Sequence, residues 1–194
     1  MKVINKIIAH QRGTAEAARL PAKRNEYYKL ELLKVWKPYT VKTLQKTVLE
    51  EGPTLVFLIE TKYVVSEMAR IKRKLEWQQV LVVPSVNRGG GLALLWKNSL
   101  TVDVQTYSPR HIDAIVTEKN GNRKWRFTGF FGHPETNRRM DSWKLIEQLS
   151  KSSDLPWLIM GDFNEIMHLS EKVGENLRPE WQMLALLRQL TGAS

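Results

Sequence analysis

No cysteine occurs among the 194 residues, which excludes disulfides, thiol nucleophiles and cysteine-ligated zinc. No apolar run approaches the roughly 20 residues that a membrane-spanning helix needs. The apolar core within residues 1–9 is too short for a secretory leader and runs into Gln11 and Arg12. An intracellular protein, nuclear or cytoplasmic and without a membrane partner, is the expectation. Histidine is scarce, at four, and no Asp-His dipeptide occurs. The three consecutive glycines at 89–91 do not make a phosphate loop, because neither a helix signal nor Gly-Lys-Ser/Thr follows them. A tight turn between strands accounts for them. Internal repeats and low-complexity segments are absent too.

What is present argues for a folded domain: 42% hydrophobic residues and seven tryptophans, in a chain long enough for a core. The formal charge of +10, from 30 Lys and Arg against 20 Asp and Glu, favours a polyanionic partner, nucleic acid foremost. Residues 1–35 differ from the rest. Lys2, Lys6, Arg12, Arg19, Lys23, Arg24, Lys29 and Lys34 outnumber Glu16, Glu26 and Glu31, and the apolar pattern is weak until Tyr27–Leu33. A basic amino-terminal arm, partly disordered or ending in a short helix, is expected there, ahead of a domain over 36–194.

From Pro38 the pattern sharpens. Val41, Leu44, Val48 and Leu49 predict a helix that Gly52 and Pro53 stop. Residues 54–59 read as a buried strand ending in Glu60, 66–75 as a helix, and 79–83 and 92–96 as strands. Residues 101–107 and 112–118 alternate like half-buried strands, and a hairpin at 119–122 leads to a strand over 123–131. That antiparallel run rules against an all-parallel doubly wound sheet. A helix over 135–149 and a second one from about 178 to 190 flank a last strand.

That strand organises the chain. Leu155-Pro156-Trp157-Leu158-Ile159-Met160 is apolar and ends in Gly161-Asp162-Phe163-Asn164. Side chains two apart on a strand point the same way, so Asp162 and Asn164 can share a site at its carboxyl end. Asp162 suits orienting or deprotonating a water, and Asn164 suits holding the oxygen under attack. An Asx turn that merely ends a strand explains the same tetrapeptide. Glu60 ends the earlier strand in the same manner. If the two strands are neighbours, both carboxylates share one cleft, an oxygen site suited to Mg²⁺ and to phosphodiester hydrolysis.

Four blocks then carry a resemblance: Gly52-Pro53-Thr54-Leu55-Val56-Phe57-Leu58-Ile59-Glu60-Thr61-Lys62, Gly89-Gly90-Gly91-Leu92-Ala93-Leu94-Leu95-Trp96, Phe127-Thr128-Gly129-Phe130-Phe131-Gly132-His133-Pro134 and Gly161-Asp162-Phe163-Asn164-Glu165-Ile166. In order and spacing the chain from about 38 to 190 resembles the endonuclease/exonuclease/phosphatase superfamily, and within it the endonuclease domain of plant LINE-type non-LTR retrotransposons. The resemblance implies a two-sheet α/β sandwich of that type, with Glu60 as metal ligand for Mg²⁺ or Mn²⁺. It further implies Asp162 as the water-orienting acid/base and Asn164 on the scissile phosphate, with nucleic acid, DNA expected, as substrate.

The chain departs from that pattern in three places. The family opens on Trp-Asn-x-Arg-Gly, where this chain has Leu33-Lys34-Val35-Trp36-Lys37. Phe131 stands where the family usually has tyrosine, and the closing Ser-Asp-His is missing. A fold incomplete at both ends, lacking carboxyl-terminal strands, is therefore expected. The expected function is that of a truncated, catalytically impaired endonuclease-like domain of retrotransposon origin; the alternative is a non-catalytic nucleic-acid-binding or interaction module. Arg88, Arg123, Lys124, Arg138 and Arg139 are candidates for phosphate contacts, although a solvated surface charge explains each of them. His133 and His168 read as surface or turn histidines, and Glu165 and Glu171 as acidic surface groups.

Overall fold

A computed structural model of the chain describes residues 6–10, 38–85, 90–119 and 123–164. The elements run β1 (Lys6–His10), α1 (Pro38–Glu51), β2 (Leu55–Ile59), α2 (Val65–Lys74), β3 (Gln79–Val83), β4 (Leu92–Trp96), β5 (Leu100–Ser108), β6 (His111–Glu118), β7 (Lys124–Phe131), α3 (Arg139–Ser150) and β8 (Trp157–Asp162). The expected strands and helices between 38 and 162 all form. The helix expected over 135–149 begins as a 3-10 turn, Thr136–Arg138, before α3. The helix expected at 178–190 lies outside the described residues.

The strands divide into two sheets. One has the order β1-β8-β7-β6-β5, antiparallel except for the parallel pair β7 and β8, whose connection carries α3. The other is the antiparallel sheet β2-β4-β3. Alternation along each strand sends one set of side chains inward and the other outward. Leu55, Phe57 and Ile59 of β2 enter one core with Phe127 and Phe131 of β7 and Leu158 and Met160 of β8, so this core lies between the sheets. Val56 and Leu58 face the other way and pack with Leu44 and Val48 of α1 and Met68 and Ile71 of α2. Trp157, Ile159 and Phe130 do the same against Trp143, Ile146 and Leu149 of α3. The result is a helix-sheet-sheet-helix sandwich, the α/β architecture expected.

One glycine shows how close the sheets come. A Cβ on Gly129 of β7 would lie 2.4 Å from the Phe57 ring, so the absent side chain is what admits the ring. Phe57 and Phe127 meet edge to face at 5.9 Å. Gly52 ends α1 as its sequence signal predicts, with φ of +59° and its N–H on Val48 O at 3.1 Å. Leu49, which shares the helical spacing of α1, is 84% exposed: the core stripe runs through Leu44 and Val48, and position 49 falls past its edge.

Lys6–His10 departs from the expected basic arm. These five residues form a strand, the outermost of the larger sheet among the described residues, with Ile8 paired to Ile159 of β8. Backbone pairing to a buried neighbour asks for no strong apolar pattern of its own. The remainder of 1–35 lies outside the described residues.

Candidate functional site

The site is built on the exits of β7 and β8. Phe131 and Asp162 are register partners on these parallel strands, so their side chains share a face. Phe131 belongs to the core between the sheets, which sets Asp162 at the end of that core rather than on the α3 side. Asp162 is half-buried. Its Oδ1 accepts the backbone N–H of Asn164 at 2.9 Å, and its carbonyl accepts the N–H of Gly132 at 2.8 Å. Asn164 has φ of +51°, a left-handed conformation that asparagine tolerates better than most residues. Its side-chain amide donates to Gly132 O at 2.7 Å. β8 ends at Asp162, so Asn164 lies beyond the strand rather than two places along it, and the two residues are joined as an Asx turn.

The second exit is that of β2. Glu60 and Lys62 both have left-handed backbones, φ of +49° and +50°, on either side of the fully buried Thr61. Thr61 donates its N–H to Gly91 O at 3.1 Å, while its Oγ1 is buried without a hydrogen-bond partner among the described residues. A Cβ on Gly91 would stand 2.7 Å from that Oγ1, and Gly91 itself has φ of +89°, so the glycine is required twice over. Left-handed non-glycine residues are uncommon outside turns and sites. Among the described residues there are four, and Glu60, Lys62 and Asn164 are three of them.

Glu60 and Asp162 do not, however, come from neighbouring strands. β2 pairs with β4 in one sheet and β8 lies between β1 and β7 in the other. The premise of neighbouring strands is thus corrected: the carboxylates end strands of facing sheets, linked through Ile59, Phe131 and Met160 of the shared core. Among the described residues no group of three or more His, Asp or Glu forms a metal cluster. The donors present are oxygens. That suits Mg²⁺, which is commonly held by one or two carboxylates with water and substrate phosphate completing its shell.

A basic rim adjoins the β7 exit. Arg110, in the turn between β5 and β6, accepts the N–H of Phe131 on its carbonyl at 2.8 Å. Its guanidinium lies over the Phe131 ring, 5.1 Å from the centroid. His133 is buried, with its N–H on Ser142 Oγ at 2.9 Å and its Nδ1 3.5 Å from Glu135 Oε2. Burial pushes the His133 imidazole below its ordinary pKa, helped by Arg110 and Arg138 and opposed by Glu135. Arg138 sits 3.5 Å from Asp141, and Arg139 donates to Pro134 O at 3.4 Å.

The basic candidates thus separate. Arg138 and Arg139 belong to this rim. Arg123 and Lys124 sit at the other end of β7, eight residues long, so roughly 23 Å from Phe131. Arg88, His168, Glu165 and Glu171 lie outside the described residues. Arg110 and Thr61 had no sequence signal: a cation in a turn and a threonine after a strand are ordinary, and only the tertiary contacts single them out.

Away from this site, α3 and the outer face of the larger sheet enclose a polar network. Arg126 donates to both carboxylate oxygens of Asp113, at 2.9 and 3.0 Å, and to Leu149 O. Thr128 Oγ1 donates to Asp113 at 2.5 Å and accepts Trp157 Nε1 at 2.8 Å. A cavity of about 470 Å³ opens beside it, lined by His111, Asp113, Arg126 and Gln148 among others.

Comparison with known proteins agrees with this architecture. A sequence model of the endonuclease/exonuclease/phosphatase family matches residues 34–182. Among solved structures, a family protein from Bacteroides thetaiotaomicron superposes with TM-score 0.53 at 14% identity, over 86% of this chain and 66% of that one. A mannosyl-6-phosphatase of the same organism gives TM-score 0.55 at 15% identity, over 77% and 61%. Humanized D. rerio TDP2 gives 0.50 at 16% identity, over 65% and 58%. At these identities the likeness is one of fold. The chain spans between about 58% and 66% of the length of these relatives. No curated protein matches.

Proposed function

The chain belongs to the endonuclease/exonuclease/phosphatase family, and we propose that it is a nucleic-acid phosphodiesterase domain of the LINE retroelement kind, in which phosphate binding outlasts efficient hydrolysis. The observation that carries this reading is the clamp on Asn164. An amide has two N–H donors, and only one of them is needed for Gly132 O. The other is a neutral donor fixed beside Asp162 by a backbone that few residues adopt, which suits a phosphate oxygen. Asp162 keeps Oδ2 without a hydrogen bond among the described residues, as a water-orienting base would.

Glu60 would hold Mg²⁺ or Mn²⁺, which when bound supplies neutralisation of phosphate charge. The formal charge of +10 and the rim of Arg110, Arg138 and Arg139 favour a polyanionic strand, DNA in the first instance. One feature of the described site supports weak chemistry: Phe131 offers no hydroxyl at the β7 exit. Losing a single acid, base or orienting group costs roughly 10²–10⁴-fold in rate.

The test is nicking of supercoiled plasmid in Mg²⁺, with an EDTA control and the Asp162→Ala protein, alongside binding measured at two salt concentrations. Salt-sensitive binding without nicking is the expected result. Metal-dependent nicking abolished by Asp162→Ala would keep the roles and overturn the impairment. Absence of salt-sensitive binding would overturn the nucleic-acid reading and leave the Asx turn at 162–164 as a plain turn in an interaction module.

A further inference from the structure

Arg110 stands on the basic rim without a carboxylate in ion-pair contact among the described residues; Glu135 acts on it only at longer range. Arg138 stands 3.5 Å from Asp141, and Arg139 has hydrogen-bonding partners. Arg110 makes no side-chain hydrogen bond or ion pair among the described residues; its contact is the Phe131 ring. Such stacking orients a guanidinium while leaving its N–H edge for a planar or tetrahedral oxyanion. Burial lowers the Arg110 pKa, Glu135 raises it and Arg138 lowers it further.

The backbone then fixes where that charge stands relative to the site. Phe131 is hydrogen-bonded to Arg110 on one side and paired with Asp162 on the other. Arg110 and Asp162 therefore lie two strand spacings apart, roughly 10 Å, across one residue. Among the described residues they form no ion pair with each other, and the strand that carries Phe131 lies between them.

We propose that Arg110, seated on Phe131, contacts a backbone phosphate of a nucleic-acid strand, adjacent to the phosphate held at Asp162 and Asn164. This rests on the nucleic-acid reading above and makes the β5–β6 turn part of the substrate surface. Its role is to set the path of the strand across the β7 exit, and the contact is to phosphate, so it carries no base preference.

The experiment is binding of a short fluorescent single-stranded DNA to the full chain, titrated in salt between about 50 and 200 mM. A lost phosphate contact lowers the slope of log affinity against log salt by about 0.7 for a single strand. Arg110→Ala and Arg110→Gln are expected to show that loss and about tenfold weaker binding near 0.1 M salt. Arg110→Lys is expected to keep the slope, as is Arg73→Ala on α2 beyond the other sheet. Arg110→Gln retains the stem and removes only the charge, so a folding defect in the alanine protein still leaves a readable variant. An unchanged slope in both neutral variants, with the parent binding normally, would overturn the role of Arg110 and spare the functional reading. A parent protein that fails to bind at any salt would overturn both.

Discussion

Arg126 holds Asp113 through two parallel hydrogen bonds, Nε to Oδ1 at 2.9 Å and Nη2 to Oδ2 at 3.0 Å, with both side chains almost wholly buried. The pair is stitched on every side. Thr128 and Trp157 complete the carboxylate's network, Leu149 O takes an Nη1 donor, and the Trp157 ring lies 4.9 Å beneath the cation. It ties β6, β7 and β8 to the end of α3.

Breaking one half of such a pair leaves the other charge buried and uncompensated, which costs about 3–5 kcal/mol. Asp113→Ala should lower the urea midpoint by that equivalent at an unchanged slope of unfolding. Joint replacement of Asp113 and Arg126 by leucine and methionine should cost less than the two single changes added together. A loss below about 1 kcal/mol for Asp113→Ala would mean that water reaches the guanidinium through the adjoining cavity.

His111 stands at the mouth of the same cavity, its ring nitrogens 2.8 and 2.9 Å from the Ser108 and Thr106 hydroxyls. Burial pushes its pKa down; Asp113 opposes this and Arg126 adds to it. The unfolded chain therefore takes up a proton near pH 6.5 that the folded chain refuses, and stability falls as pH drops below that value. His133 acts with the same sign. Urea unfolding should show stability level above about pH 7 and declining toward pH 5.5, by at most about 1.4 kcal/mol per pH unit for each proton. His111→Gln should flatten that decline. An equally steep decline in the variant would assign the effect elsewhere.

The sequence made the strands and their polar ends legible because both signals are local. An apolar run that stops at Glu60 or at Gly161-Asp162 is visible within ten residues. Which strands pair was not visible. Fully apolar runs such as Leu55–Ile59 and Trp157–Met160 carry no alternation to mark a face, so nothing told that Glu60 and Asp162 would end strands of opposite sheets. β6 misled in the opposite direction. Its His111-Ile112-Asp113-Ala114 alternation reads as half-exposed, whereas α3 and Arg126 cover the polar face. Arg110 was illegible altogether, since its meaning arises from a carbonyl bond to Phe131 across the sheet.

Asn164 decides between a plain turn and a site, because its backbone and its amide can be separated. Its left-handed φ of +51° is free of strain for glycine and costs alanine about 1 kcal/mol. Asn164→Gly should therefore be more stable than Asn164→Ala by that amount, while both lose the amide that reaches Gly132 O. If the amide contacts phosphate, the two proteins should bind single-stranded DNA equally poorly, about tenfold below the parent. If the residue only shapes the turn, affinity should follow stability and the glycine protein should bind close to the parent. Equal binding loss at unequal stability is the expected outcome. It follows from Asp162, through Oδ1, and Gly132, through its carbonyl, holding Asn164 from two strands at once, which orients the amide beyond what a turn demands.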